Sequence, residues 1–277
     1  MGSFFWIASY PKSGNTWLRL MLQSLEHRGA PVDFATRTEF APIASRRDAL
    51  DYWCGIDSSD LTDDEAMALR PIQYTTEASV SQKVMLRKVH DAWTKTPKGD
   101  FLFPAEVTCG SVYMVRDPRD IVVSFAHHRG SDIDSTIALM AQADAALSVS
   151  LDHGTAQLRQ RLLSWSAHVQ SWLSAVPAPM LVRYEDMLAN PAAVLAAVAS
   201  KLGFEASPSL LSRAVEATAF STLQAAELTV GFIEKPAAAP NFFRRGKAGV
   251  WRDTLTAAQT ARIEADHGEI MVRFGYL

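Results

Sequence analysis

Only two cysteines, Cys54 and Cys109, occur in the 277 residues, and they show neither metal-ligand spacing nor a disulfide framework. Their simplest reading is as small buried apolar side chains. No hydrophobic run approaches the roughly 20 residues that a bilayer-spanning helix needs, so no membrane span is expected. The apolar start is short and has no basic flank, which argues against a secretory signal. Met1-Gly2 opens like a myristoylation site, but Trp6 stands where Ser or Thr is required. A cytoplasmic protein is the expectation. An excess of one charge is also missing: a formal net charge of −3 gives no global basic footprint, and nucleic acid is not expected as a partner. Repeats and long linkers are absent from the sequence as well.

What is present is a hydrophobic content of 48%, enough for a substantial core, and the length fits one large α/β domain over 1–277. Strand-like runs recur at Phe4–Ser9, Val84–His90, Ser111–Arg116 and Pro179–Tyr184 with helical periodicity between them. That alternation predicts a central parallel sheet flanked by helices. Leu18, Met21, Leu22 and Leu25 share one face of a first helix that ends near Gly29. Leu158, Leu162, Trp165, Val169 and Trp172 make a second helical stripe, read as core. Asn190-Pro191 opens a helix that Gly203 closes, and Thr256 with Gln259 makes a capping box for the last one. Two stretches look irregular, 29–60 and 229–250. The second is read as a lid, because a basic cluster beside it gives it something to close over.

The segment Tyr10-Pro11-Lys12-Ser13-Gly14-Asn15-Thr16-Trp17 follows an apolar strand and opens a helix. Helix-opening amides and the positive end of the helix dipole converge there on an anion. Lys12 adds charge, Gly14 permits close backbone approach, and Ser13 and Thr16 offer hydroxyls. Phosphate or sulfate is the expected ligand. A Walker A loop requires Gly before Gly-Lys-Ser/Thr, whereas here Lys precedes the only Gly, which disfavours an ordinary nucleotide kinase. Trp17 offers a flat face to an adenine or is a buried helix side chain, and the sequence leaves both open. Further on, Arg116 ends a strand in Val115-Arg116-Asp117-Pro118, with Ser124 eight positions later. It is placed either to grip an anion beyond the sheet or to pair with Asp117. The run Phe243-Arg244-Arg245-Gly246-Lys247-Ala248-Gly249-Val250-Trp251-Arg252 concentrates basic residues among glycines, as an anion-capturing loop or a solvated one.

Tyr10 to Trp17 resembles the 5′-phosphosulfate loop of sulfotransferases that use 3′-phosphoadenosine 5′-phosphosulfate (PAPS). The resemblance continues in family order: Arg116 and Ser124 match the pair on the 3′-phosphate, and Arg244, Arg245 and Gly246 match the Arg-Lys-Gly step that completes that site. Val250 departs from the acidic residue often found before the Trp. Tyr184-Glu185-Asp186-Met187 is similar to the segment whose Tyr touches adenine, and Thr218-Ala219-Phe220 resembles its Thr-Ser-Phe contacts. Arg87-Lys88-Val89-His90 resembles the Lys-Thr-His catalytic segment, which selects His90 among seven histidines as general base, with Lys88 and Lys12 stabilising transferred charge.

The resemblance implies a P-loop-NTPase-like fold and Lys12, Ser13, Gly14, Asn15, Thr16, Trp17, Arg116, Ser124, Tyr184, Thr218, Phe220, Arg244, Arg245 and Gly246 as the PAPS site. It also implies transfer to an acceptor hydroxyl, release of 3′,5′-bisphosphoadenosine (PAP) and no metal requirement. A kinase and a non-catalytic PAPS/PAP-binding module are the rival readings. Trp53, Tyr74, Trp93, Phe125 and Phe232 are candidates for an apolar acceptor pocket or for core. The acceptor expected is a small molecule: a natural product, phenol, glycolipid or glycopeptide. The family's C-terminal dimerisation motif is not matched in Thr256–Glu269, which leaves the oligomeric state open.

Overall fold

The computed structural model describes residues 1–35, 40–149 and 156–277. Its strands are β1 (Ser3–Ser9), β2 (Val84–Val89), β3 (Thr108–Val115), β4 (Ala146–Leu147), β5 (Gln160–Arg161) and β6 (Met180–Arg183). The helices are α1 (Asn15–Glu26), α2 (Arg47–Cys54), α3 (Asp63–Val80), α4 (Pro118–Arg129), α5 (Ile133–Ala141), α6 (Trp165–Leu173), α7 (Tyr184–Ala189), α8 (Pro191–Leu202), α9 (Pro208–Ala217), α10 (Phe220–Val230) and α11 (Ala257–Arg273). The sheet has the order β2-β1-β3-β6, and β1 runs parallel to β2 with Ser3 opposite Val84 and Ala8 opposite Val89. From Phe4 onward β1 is buried at every position, the continuous apolar pattern of a strand covered on both faces. This is the α/β architecture that the strand spacing predicts.

Two compact units make up the chain. One comprises Met1–Tyr10, Ala41–Tyr113 and Leu139–Leu181, the other Pro11–Phe40, Met114–Ala138 and Val182–Leu277. In the first, Trp6 stacks on Phe4 with ring centroids 4.8 Å apart and meets the edge of Tyr74 at 5.2 Å. Its indole donates to Thr108 Oγ1 at 3.0 Å, so the Trp6 N–H is satisfied inside the aromatic core. In the second, α1 packs against α8 and α9, and α4 packs against α11.

Several expectations are corrected. The stripe from Leu158 to Trp172 is helical only from Trp165, because Leu163 has a φ of 60°, a conformation that ends regular structure in an L-residue, and Ser164 then caps α6. Leu158 and Leu162 are buried nonetheless. The stretch 29–60 contains α2 and a short 3₁₀ turn at Ser58–Asp60. Only Leu50 of α2 is buried, too little to write a periodic signal, and residues 36–39 lie outside the described residues. The second stretch is irregular as expected: α10 extends to Val230, and Gly231 to Gly249 carry no helix or strand. Cys109 is exposed and Cys54 half-buried, not buried as expected. Tyr74 and Phe125 belong to the core, whereas Trp53, Trp93 and Phe232 are half-buried.

Candidate functional site

The turn between β1 and α1 is set by two left-handed residues, Lys12 at φ 68° and Gly14 at φ 97°. Gly14 is the N-cap of α1 and supplies no side-chain cap, so the first helical amides keep their affinity for an external acceptor. A Cβ on Gly14 would stand 2.7 Å from Tyr184 Cδ2, which explains why only glycine lets the turn approach α7 so closely. Ser13 is fully buried, yet its Oγ lacks a hydrogen-bond partner. Lys12 Nζ donates to His128 Nδ1 at 3.3 Å and lies 4.3 Å over the Phe242 ring. Thr16 Oγ1 donates to Glu234 Oε2 at 3.1 Å, and the same carboxylate is ion-paired with buried Arg19. Asn15 Oδ1 accepts from Arg19 Nε at 2.9 Å. Trp17 is half-buried, its indole donating to the Thr218 carbonyl at 3.0 Å.

Arg116 follows β3 and bridges the turn to the basic loop. Its Nη1 donates to the Lys12 carbonyl at 3.1 Å and its Nη2 to the Lys247 carbonyl at 2.9 Å. The guanidinium lies 4.1 Å over the Tyr184 ring, and its buried Nε has no partner. The alternative pairing of Arg116 with Asp117 is overturned: Asp117 is taken by Arg119, with Nη2 to Oδ2 at 2.8 Å, and Asp120 approaches Arg116 only to 3.9 Å. Asp120 instead accepts from the amides of Gly249 at 2.7 Å and Trp251 at 3.0 Å, holding the basic loop on α4. One turn beyond it on the same helix face, Ser124 is half-buried.

The basic loop is ordered from several directions. Glu227 accepts from the amides of Phe242 at 2.6 Å and Phe243 at 2.9 Å, and Gln224 donates to the Phe243 carbonyl at 2.9 Å. Gly246, at φ 58°, presses its backbone on Phe220, where a Cβ would fall 2.2 Å from ring atom Cδ2. Arg244 has its pKa lowered by burial first, then by the positive charge of Arg245 and Arg116. His127 is lowered likewise by burial, then by Arg244 and Lys12. Crowded cations of this kind make a field that an anion relieves. Tyr184 is buried. Thr218 spends its hydroxyl on the Ala214 carbonyl at 2.7 Å, so its side chain is committed to α9 and its carbonyl to Trp17.

The second unit thus gathers Lys12, Ser13, Gly14, Asn15, Thr16, Trp17, Arg116, Ser124, Tyr184, Thr218, Phe220, Arg244, Arg245 and Gly246. The first unit carries His90 and Lys88. His90 Nδ1 lies 2.9 Å from the Ser9 carbonyl, an acceptor only, so Nδ1 bears the proton and the basic lone pair is on Nε2. Lys88 is held by its backbone, donating to the Pro42 carbonyl at 3.1 Å and accepting from Ala44 N at 2.9 Å. Val89, between them, is fully buried, as strand alternation requires.

Glu234, Asp120, Arg19 and His128 were not singled out for this site by sequence. Asp120 sits inside the Arg116 to Ser124 segment and was within reach of that reading; Glu234 lies in a stretch without periodicity and carries no signal. Among the described residues no group of three or more His, Cys, Asp or Glu is arranged to hold a metal ion, and no helix is long and apolar enough to cross a membrane.

A family model described as "Sulfotransferase domain" matches residues 3–275. Cytosolic sulfotransferase 16 of Arabidopsis thaliana is 27% identical over 289 residues, covering 94% of this chain and 73% of that protein. Sulfotransferase 1A1 of Rattus norvegicus is 23% identical over 287 residues, covering 96% and 83%. Among solved structures, mouse sulfotransferase SULT7A1 complexed with PAP superposes with a TM-score of 0.60 at 18% identity, over 97% of this chain and 84% of that one.

Proposed function

The chain belongs to the sulfotransferase-domain family, a PAPS-dependent enzyme class, and we propose that it moves a sulfuryl group to a hydroxyl of a small-molecule acceptor with His90 as general base. One observation carries the donor side: the second unit collects cations around two buried polar atoms, Ser13 Oγ and Arg116 Nε, that have no partner. Buried donors left unsatisfied cost free energy that a matching anion returns. The cradle therefore fits a nucleotide with phosphates at two places. Gly14 and Gly246, each too close to an aromatic ring to carry a Cβ, keep the backbone open to it.

In this reading Lys12, Ser13, Gly14, Asn15 and Thr16 hold the 5′-phosphosulfate, and Arg116, Ser124, Arg244, Arg245 and Gly246 hold the 3′-phosphate. Trp17, Tyr184, Thr218 and Phe220 border the adenine, Thr218 by holding the Trp17 indole with its carbonyl, since its hydroxyl is already spent. When bound, PAPS supplies the sulfuryl group that passes in line to the acceptor, leaving PAP. His90 Nε2 takes the acceptor proton, while Nδ1–H stays on the Ser9 carbonyl and fixes the ring. Lys12 and Lys88 offset negative charge as it builds.

The two units are read as one sulfotransferase domain over 1–277, in keeping with a family match that runs through both. A cytoplasmic location is part of this proposal, in line with the two Arabidopsis thaliana relatives named cytosolic sulfotransferases. Stabilisation by PAP but not by ATP-Mg²⁺ in a thermal-shift measurement separates this reading from a kinase. Labelled PAPS offered with a panel of phenols, alcohols and glycosides separates it from a non-catalytic binding module. Release of PAP without any sulfated product across the panel would count against acceptor chemistry.

A further inference from the structure

The stripe of α6 reads in the sequence as core, and a core stripe has no use for a histidine. His168 is nonetheless completely buried on it, at the desolvation cost of two polar nitrogens. Both nitrogens are employed. Nε2 lies 3.1 Å from the His90 carbonyl, which can only accept, so Nε2 carries the proton. Nδ1 is then the acceptor, and the Tyr113 hydroxyl donates to it at 2.9 Å. One helical turn on, Trp172 donates its indole N–H to the carbonyl of Asp91 at 3.0 Å.

Successive carbonyls of an extended strand point to opposite sides. Here the carbonyls of residues 90 and 91 are both held by one helix face, which sets the bend where β2 ends and His90 sits. Asp91 is fixed from other directions too. Arg70 grips its carboxylate through two bonds of 2.9 and 2.7 Å, and Arg161 N donates to Oδ1 at 3.1 Å. All of these residues belong to one compact unit.

We infer that α6 is a clamp on the general base: His168 and Trp172 fix the backbone at residues 90 and 91, which holds the His90 ring in its Nδ1–H tautomer with Nε2 basic. His168 is thus a positioning residue, an assignment that rests on the proposed role of His90. Burial, against the pull of the His90 carbonyl, keeps the clamp neutral. Burial pushes the pKa of His168 down to about 4. The titratable side chains against it are Tyr113 on β3, raised well above the usual tyrosine value by burial, and Tyr10, whose ring meets it edge-on at 5.3 Å.

The test exploits two amides. In His168→Gln the side-chain amide reaches the place of Nε2 and can still donate to the His90 carbonyl. In His168→Asn it reaches only the place of Nδ1, keeping Tyr113 and losing His90. Ring ¹⁵N spectra of histidine-labelled full-length protein, with PAP as the probe ligand, report the His90 tautomer directly. We expect one Nδ1–H tautomer in wild type and His168→Gln, and a mixture in His168→Asn, with PAP affinity the same in all three. Turnover on an acceptor found by the panel should fall about ten- to a hundredfold in the Asn variant and be rescued in the Gln variant. An unchanged His90 spectrum in folded His168→Asn overturns the clamp, as does an equal change in both variants. His90→Asn is read separately: full transfer in that variant removes the base assignment while leaving the tautomer result standing.

Discussion

The His90 region and the phosphate turn differ in how their polar groups are satisfied. Around His90, the Ser9 and His90 carbonyls, the Asp91 carboxylate and both nitrogens of His168 are paired with one another or with buried side chains. Around the turn, Ser13 Oγ and Arg116 Nε are buried without partners, Lys12 adopts a left-handed conformation, and the carboxylate of Glu234 rests on Thr16. The first arrangement is finished before any ligand arrives. The second keeps capacity in reserve, and the reserve is cationic. A base must hold one orientation through every turnover, whereas a donor site has to accept and release a highly charged nucleotide. The contrast yields an ordered set of expectations, from chemistry at His90 to fine adjustment at Glu234.

The largest effect belongs to His90→Asn, which preserves a hydrogen bond to Ser9 but removes the basic nitrogen. Turnover should fall about 10²–10⁴-fold while PAP affinity, measured by calorimetry, stays as in wild type. The same region should also contribute to acid sensitivity. His168 is held neutral with its pKa pushed down to about 4 from an ordinary 6.5. The unfolded chain therefore binds a proton below pH 6.5 that the folded chain refuses until pH 4. Its stability contribution is full above pH 6.5 and is lost on acidification through that window, by roughly 3 kcal/mol. His267 in the other unit, also pushed down to about 4 by burial, adds in the same direction. Glu185, raised by burial, acts against both. Urea unfolding at pH 7 and pH 5 should show a smaller pH difference in His168→Gln than in wild type.

The sequence makes the strands, the phosphate turn and the Arg116 segment legible because each is local: an apolar run, a turn residue set and a helix start lie within a dozen positions. It also makes the capping box at Thr256 and the Asn190-Pro191 helix start legible, and both stand in the structure. What stays hidden is pairing at long range. The bond from Tyr113 to His168 spans 55 residues and that from His168 to His90 spans 78. Nothing local distinguishes a histidine on a core stripe from its apolar neighbours. Glu234 reaches Thr16 across 218 residues from a stretch with no periodicity. The start of α6 is hidden for a related reason: Leu158 and Leu162 satisfy helical spacing and burial, and only the backbone at Leu163 shows that the helix has not begun.

Arg116→Ala attacks the cradle itself. A charge-assisted anchor is worth about 1.5–3 kcal/mol, so PAP affinity should fall about ten- to a hundredfold by calorimetry. Lys12→Ala should depress transfer more than affinity, because the Arg116 side of the cradle survives. If both variants lost affinity equally and turnover equally, the division between anchoring and chemistry would be wrong. The comparison between the two regions would then fail with it.

The smallest effect tests the acidic contact. Glu234 places a carboxylate on the hydroxyl of Thr16 and ion-pairs with Arg19, inside the set of groups proposed to receive the 5′-phosphosulfate. Two anions do not share one hydroxyl donor, so binding must either move this carboxylate or work against it. Glu234→Gln keeps the shape, removes the charge and takes away the ion pair with Arg19. PAP affinity should rise a few-fold, on the order of 1 kcal/mol or less, with a shallower dependence on salt because one repulsive term has gone. Hydrogen exchange over 231–249 supplies the second reading. In wild type, PAP should slow exchange there as the segment gives up Thr16 and settles on the nucleotide. In Glu234→Gln the PAP-free protein should exchange faster at 231–235, its tie to α1 having lost the ion pair, and the bound forms should be alike. Weaker binding in Glu234→Gln would show instead that this carboxylate supports the cradle, by orienting Thr16 and Arg19 toward the ligand.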